Sequence, residues 1–452
     1  MSKRFIIIGA GPAGLTAALE LLRHGEKNNV VVLEADDSVG GLAKTIDWNG
    51  NRFDIGGHRF FTTESKVKQW WNDLLPLQTI NRHSSIYYRG NYLDYPIRFS
   101  IDMIRIIGYR EAFKVCCSYI CSHAHKISIS SLEDFFISRF GKRLYQLFFH
   151  DYTKKVWGLE PSQISPDWGP ERIAGISLRE VITSAFIHRS VEPSLTDLFY
   201  YPNQGCGELW DTVAEEIKHL GGQIILNCEV KSIRRLDNRI TELLCNDPSG
   251  IATISGDTYI STMPIKDLYL RMSETPEEAA SVASRLHYRD LVVVGVLLDK
   301  NKLENANPYL FSTHDQWIYF QDKTVGFGRI QIYNNWSEKM LDNPSSHLLL
   351  ALEYFCQEGD RLWELDDHGW ENIIQEDLKK TGLLSNEQSI LDYYVRRIAK
   401  AYPCYWDGYN ALDIVHEDLN AIKNLICIGR NGLHQYRNMD DIILEAMRVI
   451  DL

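Results

Sequence analysis

Gly9, Gly11 and Gly14, spaced G-x-G-x-x-G, together with an acid at Glu34, carry the clearest chemistry in this 452-residue chain. Gly9 suits a tight turn, Gly11 a close approach of the backbone to a diphosphate, and Gly14 the packing of a helix on the preceding strand. A helix that begins there presents unpaired N–H groups and a partial positive charge to phosphate oxygens. Glu34 lies about twenty residues beyond the last glycine, where a carboxylate accepts the ribose hydroxyls of a dinucleotide. The same negative charge disfavours a 2′-phosphate, and with it NADP.

These residues need a strand, a helix and a second strand to hold them. Phe5-Ile6-Ile7-Ile8 reads as a buried parallel strand, Leu15 to Arg23 as a helix broken at Gly25, and Val30-Val31-Val32-Leu33 as the next strand. A second glycine pair, Gly40-Gly41, follows in the run Val39 to Thr45. Here the chain resembles the two-dinucleotide-binding-domain flavoproteins, the group of amine oxidases, protoporphyrinogen oxidase, phytoene desaturases and UDP-galactopyranose mutase. The resemblance implies FAD, bound without a covalent bond, with Gly9, Gly11, Pro12, Ala13, Gly14, Glu34, Gly40, Gly41 and Leu42 among its contacts.

Composition narrows the classes. A formal charge of −12 argues against a nucleic-acid surface. No stretch approaches the ~18 uncharged apolar residues of a membrane span. The first strand follows the start too closely for a signal peptide, so the expected location is cytoplasmic. Nine cysteines without a C-x-x-C pattern suit reduced thiols. Cys116, Cys117 and Cys121 lie near His123 and His125, but the spacing fits no zinc pattern. They are expected to be small buried hydrophobes on a helix, and no metal is expected.

Further along, Tyr87 to Pro96 reads as an aromatic hairpin turning at Gly90-Asn91, and Ile101 to Phe186 shows helical periodicity. The chain then returns through Tyr200 to Leu209 to a helix over Trp210–Leu220, the β segments Gln223–Leu226 and Glu229–Ile233, and the strand Thr258–Ser261. Asp290–Leu298, Trp317–Phe320, Gly328–Ile332 and His347–Tyr354 suggest a second sheet, and Leu425 to Gly429 a last buried strand before a helix over Asp440–Ile450. The expected fold is α/β, a discontinuous Rossmann-like FAD-binding domain with an inserted helical region and a second, mainly antiparallel sheet domain. Its expected division is 1–95 with 200–265 and 420–452 for FAD, 96–199 for the helical insertion, and 266–419 for the substrate sheet.

Five motifs narrow the resemblance to UDP-galactopyranose mutase and its relatives. They are Gly56-Gly57-His58, the segment Tyr152 to Gly158 with Arg172, Gly328-Arg329 and the strand it opens, Ala401-Tyr402-Pro403, and Gly429-Arg430 followed by Gln435-Tyr436 and Met439. Without the resemblance, His58 reads as structural, Trp157 as core and Arg172 as a surface charge. With it, Gly57, His58, Gly429, Arg430 and Met439 lie at the cofactor, and His58, Arg172 and Arg329 are the implied catalytic residues. Arg172, Arg329, Tyr402 and Tyr436 would bind the substrate diphosphate, an arginine fork being suited to paired phosphate oxygens. His434 and Arg437 stand where bacterial mutases usually have tyrosines, and Cys206 interrupts a glycine-rich step.

The implied activity is a flavin-dependent pyranose–furanose mutase acting on a nucleotide sugar, UDP-galactopyranose-like, in cell-surface polysaccharide biosynthesis. In that family reduced flavin N5 attacks the anomeric carbon, and the flavin–sugar adduct recloses as the other ring form. An electron donor such as NAD(P)H or a reductase is then required. Two other readings stay open: an FAD-dependent oxidoreductase of the amine oxidase, protoporphyrinogen oxidase or desaturase type, and a non-catalytic flavin-binding scaffold. The sugar, the base and the oligomeric state are not legible.

Overall fold

The computed structural model describes residues 3–26, 29–97, 100–124, 127–173, 198–303, 308–384 and 389–451. Its first unit is β1 (Phe5–Ile8), α1 (Pro12–Arg23) and β2 (Val30–Leu33). Pro12 occupies the first helical turn, where its missing N–H costs nothing, and the Ala- and Leu-rich stretch behind it favours helix. β1 and β2 pair in parallel, Phe5 with Val30 through Ile8 with Leu33. Three distant segments complete a five-stranded parallel sheet in the order Leu425–Cys427, Thr258–Ser261, β1, β2, Gln223–Ile225. Both faces of such a sheet must be covered, which is why its strands are almost wholly apolar. α1 packs against Met439–Ile450 and Gly207–His219.

A seven-stranded sheet runs in the order Ile390–Pro403, Tyr288–Asp299, His347–Cys356, Arg329–Ile332, Trp317–Phe320, Ser84–Tyr88, Asn91–Asp94. All its pairings are antiparallel except that between Trp317–Phe320 and Ser84–Tyr88. The hairpin 84–94 thus pairs with this second sheet, although its sequence position suggests the FAD unit. Helix Asp367–Lys380, capped by Asp366 at the amide of Gly369, lays Trp370, Ile374 and Leu378 over Val292, Val294, Leu350 and Leu352. A small antiparallel sheet, Glu229–Leu236, Arg239–Asp247 and Gly250–Ile254, flanks the parallel one.

Between residues 101 and 173 the described chain is helical, as its periodicity suggests; the continuation to Phe186 lies outside the described residues. Helix Tyr109–Ala124 corrects one expectation: it buries only Ala112 and Val115, and Cys116, Cys117 and Cys121 are exposed. A 16-residue helix with one covered edge has no inward positions left for them. Among the described residues no helix is long and apolar enough to cross a membrane.

Gly14 marks the tightest junction of the first unit, since a Cβ there would lie 2.0 Å from the Gly9 carbonyl oxygen and 3.2 Å from Ile7 Cγ2. Gly25 has a φ of +101° but nothing within 4 Å. Gly14→Ala should cost about 3 kcal/mol, the upper range for overpacking, and Gly25→Ala only about 1 kcal/mol of backbone strain. Urea denaturation followed by tryptophan fluorescence measures both, and equal losses would mean that α1 does not press on the glycine turn.

Candidate functional site

A cleft opens where β1, β2 and Thr258–Ser261 end, the place where parallel sheets bind ligands. Gly9, Gly11, Pro12 and Ala13 form one wall, with Glu34, Gly41, Leu42 and Ala43 beside them. Thr262, Met263 and Pro264, then Gly429, Arg430 and Met439, close the other side, and His58 stands at one end. Eleven of the fourteen cofactor positions named from sequence therefore line it. The remaining three are Gly14, Gly40 and Gly57. Gly14 is packed against Gly9, Gly40 donates its amide to the Ala10 carbonyl at 2.9 Å, and Gly57 faces Arg329.

The cleft fits a dinucleotide. The first turn of α1 has no capping side chain and no acid, so its amides remain available to phosphate oxygens. A Cβ on Gly41 would lie 2.9 Å from Gly11 Cα, so two bare backbones meet where a diphosphate needs room. Glu34 is held at the end of β2 by the amides of Ala10 (2.6 Å) and Asp36 (2.9 Å), one on each carboxylate oxygen. Each oxygen keeps a further lone pair for a ribose hydroxyl.

His58 is half-buried, and its Nδ1 is shut off from solvent without a hydrogen-bond partner. Burial, then the charges of Arg430 and Arg329, push its pKa down to about 3. It is a neutral imidazole with an unpartnered ring nitrogen, and it lines the cleft. Asp54 and Cys206 lie close enough that one ligand atom of each residue falls within 4.8 Å of the others. The set is a poor cation site, because Asp54 already accepts from Thr45 Oγ1 (2.6 Å), Tyr201 Oη (2.6 Å) and the Cys206 amide (3.0 Å), and two guanidiniums face His58.

Arg430 and two tyrosines form the second group. The Arg430 Cζ lies 4.5 Å from the Tyr436 ring centroid and 6.0 Å from that of Tyr402, and the two rings are nearly parallel, 6.3 Å apart. Arg430 is aimed by Nε and Nη2 bonds to the Arg437 carbonyl (3.2 and 2.8 Å). The side chains at the two divergent positions have other partners: Arg437 pairs with Glu445, and buried His434 bonds to the Cys404 carbonyl.

Arg329 behaves differently from the sequence expectation. Its Nε and Nη2 donate to Glu353 at 2.9 and 2.7 Å, and Gln331 adds a third bond to the same carboxylate at 2.8 Å. The fork expected to grip phosphate thus grips a fully buried glutamate, and only the Nη1 edge faces Gly57. Burial pulls the Arg329 pKa down, but Glu353 together with Tyr319, Tyr402 and Tyr152 more than offsets it and holds the guanidinium charged. Arg172 lies in helix Trp168–Ile173, with its side chain outside the described residues.

Sequence reasoning missed Glu353, Tyr319, Arg59 and Arg82. Tyr319 lies beneath Arg329, its ring centroid 6.0 Å from Cζ, and against Tyr95 (4.7 Å) and Tyr152 (5.6 Å). Arg59 was visible as the basic residue directly after Gly57-His58.

Two family models match: an NAD(P)-binding Rossmann-like domain over residues 7–74, and flavin containing amine oxidoreductase over 122–422, more than half the chain. The chain belongs to the flavin-containing amine oxidoreductase family. Its cofactor is FAD, and the glycine turn, Glu34 and the bare wall at Gly11 and Gly41 have the shape and chemistry that suit it. A Klebsiella pneumoniae protein assigned as a UDP-galactopyranose mutase is 26% identical over 176 residues, 36% of this chain and 43% of that protein. The mitochondrial protoporphyrinogen oxidase of Nicotiana tabacum is 25% identical over 293 residues, 59% of this chain and 55% of that protein. The chain thus matches less than two thirds of either relative's length. The crystal structure of a reduced UDP-galactopyranose mutase superposes with a TM-score of 0.84 at 24% identity, covering 99% of this chain and 95% of that one. This family member therefore has the mutase fold throughout.

Two substitutions probe the buried acids. Glu353→Gln strands the Arg329 charge in the interior and should cost about 3–5 kcal/mol in a urea titration; a loss below 1 kcal/mol would mean that the pair is hydrated. Asp54 is pushed up to about 7 by burial, against the pull of its three hydrogen bonds. Its folded pKa lies above its unfolded one, so its contribution is present in full below about pH 4 and lost as pH rises toward 7. Asp54→Asn should therefore gain on the wild type by at least ~1 kcal/mol between pH 4 and pH 7.5. A pH-independent difference would mean an ordinary carboxylate.

Proposed function

We propose that this flavoprotein is a pyranose–furanose mutase acting on a nucleotide sugar, with UDP-galactopyranose as the simplest substrate. The observation that carries the proposal is the convergence of Arg430, Tyr402 and Tyr436 beside His58, a cationic and hydroxyl-bearing cluster in a chain of net charge −12. An oxidase of hydrophobic substrates has no use for such a cluster and would line that space with apolar side chains. The mutase fold and the partial match to the Klebsiella protein support the same reading.

Reduced flavin supplies a nucleophile for the anomeric carbon when bound. The protein's part is to hold the diphosphate as it leaves and keep it near enough to return. Arg430 provides fixed charge, Tyr402 and Tyr436 provide hydroxyl donors, and Arg172 is proposed as a second cation on the diphosphate. Arg329 contributes through Nη1, its charge balanced by Glu353. His58, neutral, offers a ring nitrogen to the cofactor and excludes water from that end. A reductase or NAD(P)H is the proposed electron source, and the cytoplasm the proposed location. We also propose the three-part division of the chain inferred from sequence, with the hairpin 84–94 counted with the second sheet.

Dithionite-reduced protein should interconvert the ring forms of a nucleotide sugar, read by chromatography, with no net use of NAD(P)H or oxygen, and the oxidised protein should be inert. Replacing Tyr402 and Tyr436 together by Phe should slow the reaction by more than ~10-fold, since hydrogen bonds to a charged diphosphate are worth about 1.5–3 kcal/mol each. Stoichiometric oxidation of a substrate, one flavin reduced per product, would overturn the mutase reading in favour of an oxidoreductase.

A further inference from the structure

Arg59 is the inward-turned arginine with no evident use. Its Nη1 is shut off from solvent and has no hydrogen-bond partner. Among the described residues no carboxylate pairs with it, and its one ring contact is the neighbouring Phe61, 5.8 Å from Cζ. Burying a guanidinium hydrogen-bond donor without an acceptor is costly. The arginines that are buried outright offset that cost: Arg329 with Glu353, Arg235 with Asp418, and Arg289 with the carbonyls of Val156 and Phe355.

The surroundings bring Arg59 near the proposed diphosphate cluster. It feels the charge of Arg82 and lies within electrostatic reach of Tyr319, Tyr95 and Tyr436. Tyr436 covers Arg430 and Tyr319 covers Arg329, so two of the tyrosines within electrostatic reach of Arg59 belong to the clusters of the other two arginines. Arg430 sits with the two tyrosines proposed to hold the diphosphate. Arg59 follows His58, which stands at one end of the cleft, and with Arg82 it adds positive charge to that of the Arg430 cluster.

On the nucleotide-sugar reading above, we infer that the sugar end of the cleft is built for a negatively charged glycosyl unit, the carboxylate of a hexuronic acid in its simplest form, with Arg59 as the partner of that charge. The substrate class narrows from nucleotide hexoses to nucleotide sugars with an acidic substituent. An arginine fork matches a carboxylate in two parallel bonds and gives up less hydration than a lysine would.

The test titrates FAD-loaded full-length protein with UDP, UDP-galactose, UDP-galacturonic acid and the methyl ester of the last, by calorimetry. The acidic nucleotide sugar should bind at least ~10-fold more tightly than UDP-galactose. The methyl ester, which removes the charge without touching the protein, should lose that advantage. Arg59→Gln should lose it as well while binding UDP as before, and Arg59→Lys should keep part of it. UDP binding with no preference for the acidic sugar overturns this inference alone. Equal weakening of UDP and both sugars in Arg59→Gln also overturns it, since Arg59 would then serve the diphosphate. No binding of UDP to flavin-replete wild type overturns the nucleotide-sugar reading, and this inference with it.

Discussion

Arg329 and Glu353 face each other across adjacent strands, in register, at the middle of the seven-stranded sheet. A buried ion pair must recover the hydration lost by both charges, and it does so only when nearly every donor and acceptor is satisfied. Here two arginine nitrogens and the Gln331 amide meet one carboxylate, and no part of Glu353 reaches solvent. A slip of one residue in strand register would send Arg329 to the opposite face and leave Glu353 alone in the core. The pairing of Arg329–Ile332 with His347–Cys356 is therefore fixed by charge as much as by apolar packing. That register also fixes the edge of guanidinium that Gly57 meets.

Fixing that register sets the position of everything above it. The loop with Gly57 and His58 comes from the first sheet's unit, and Arg329 from the second sheet. The two touch, since a Cβ on Gly57 would lie 3.4 Å from the Arg329 guanidinium. Ile390–Pro403 pairs with Tyr288–Asp299 and delivers Tyr402 at its end; Leu425–Cys427 extends the parallel sheet and delivers Arg430 three residues on. Tyr402 and Tyr436 stack because two different sheets end at the same place. The diphosphate cluster is a property of topology, assembled from segments that have no local reason to meet.

This explains which features were legible in the sequence. The glycine turn, Glu34 and the strands around them form a local pattern in which each residue type follows from backbone geometry, and all lie where the pattern puts them. The second sheet was legible wherever its strands were apolar throughout, as in Trp317–Phe320. Ile390–Pro403 was not, because it carries Asp392, Arg396, Arg397 and Lys400 on a partly exposed edge and lacks a clean alternation. Glu353 was hidden for the opposite reason: one acid in the run His347–Cys356 looks like noise until its partner on the preceding strand is known. The cysteines of Tyr109–Ala124 misled because periodicity gives the faces of a helix and does not say how many of them are covered.

At the cofactor end the two titratable side chains are driven in opposite directions by one cause. Burial disfavours charge on either, raising Asp54 to about 7 and lowering His58 to about 3. His58 therefore lacks the acidic imidazolium proton at neutral pH, and Asp54 is tied to Thr45, Tyr201 and Cys206. The charges that remain free to act on a ligand are guanidiniums, which stay protonated throughout the physiological range. A site arranged in this way is suited to stabilising an anion that departs and returns, and poorly suited to moving protons on and off a substrate. Its electrostatics are set by fixed cations against an aromatic wall that shields them in part from solvent, where each charge acts more strongly than in water.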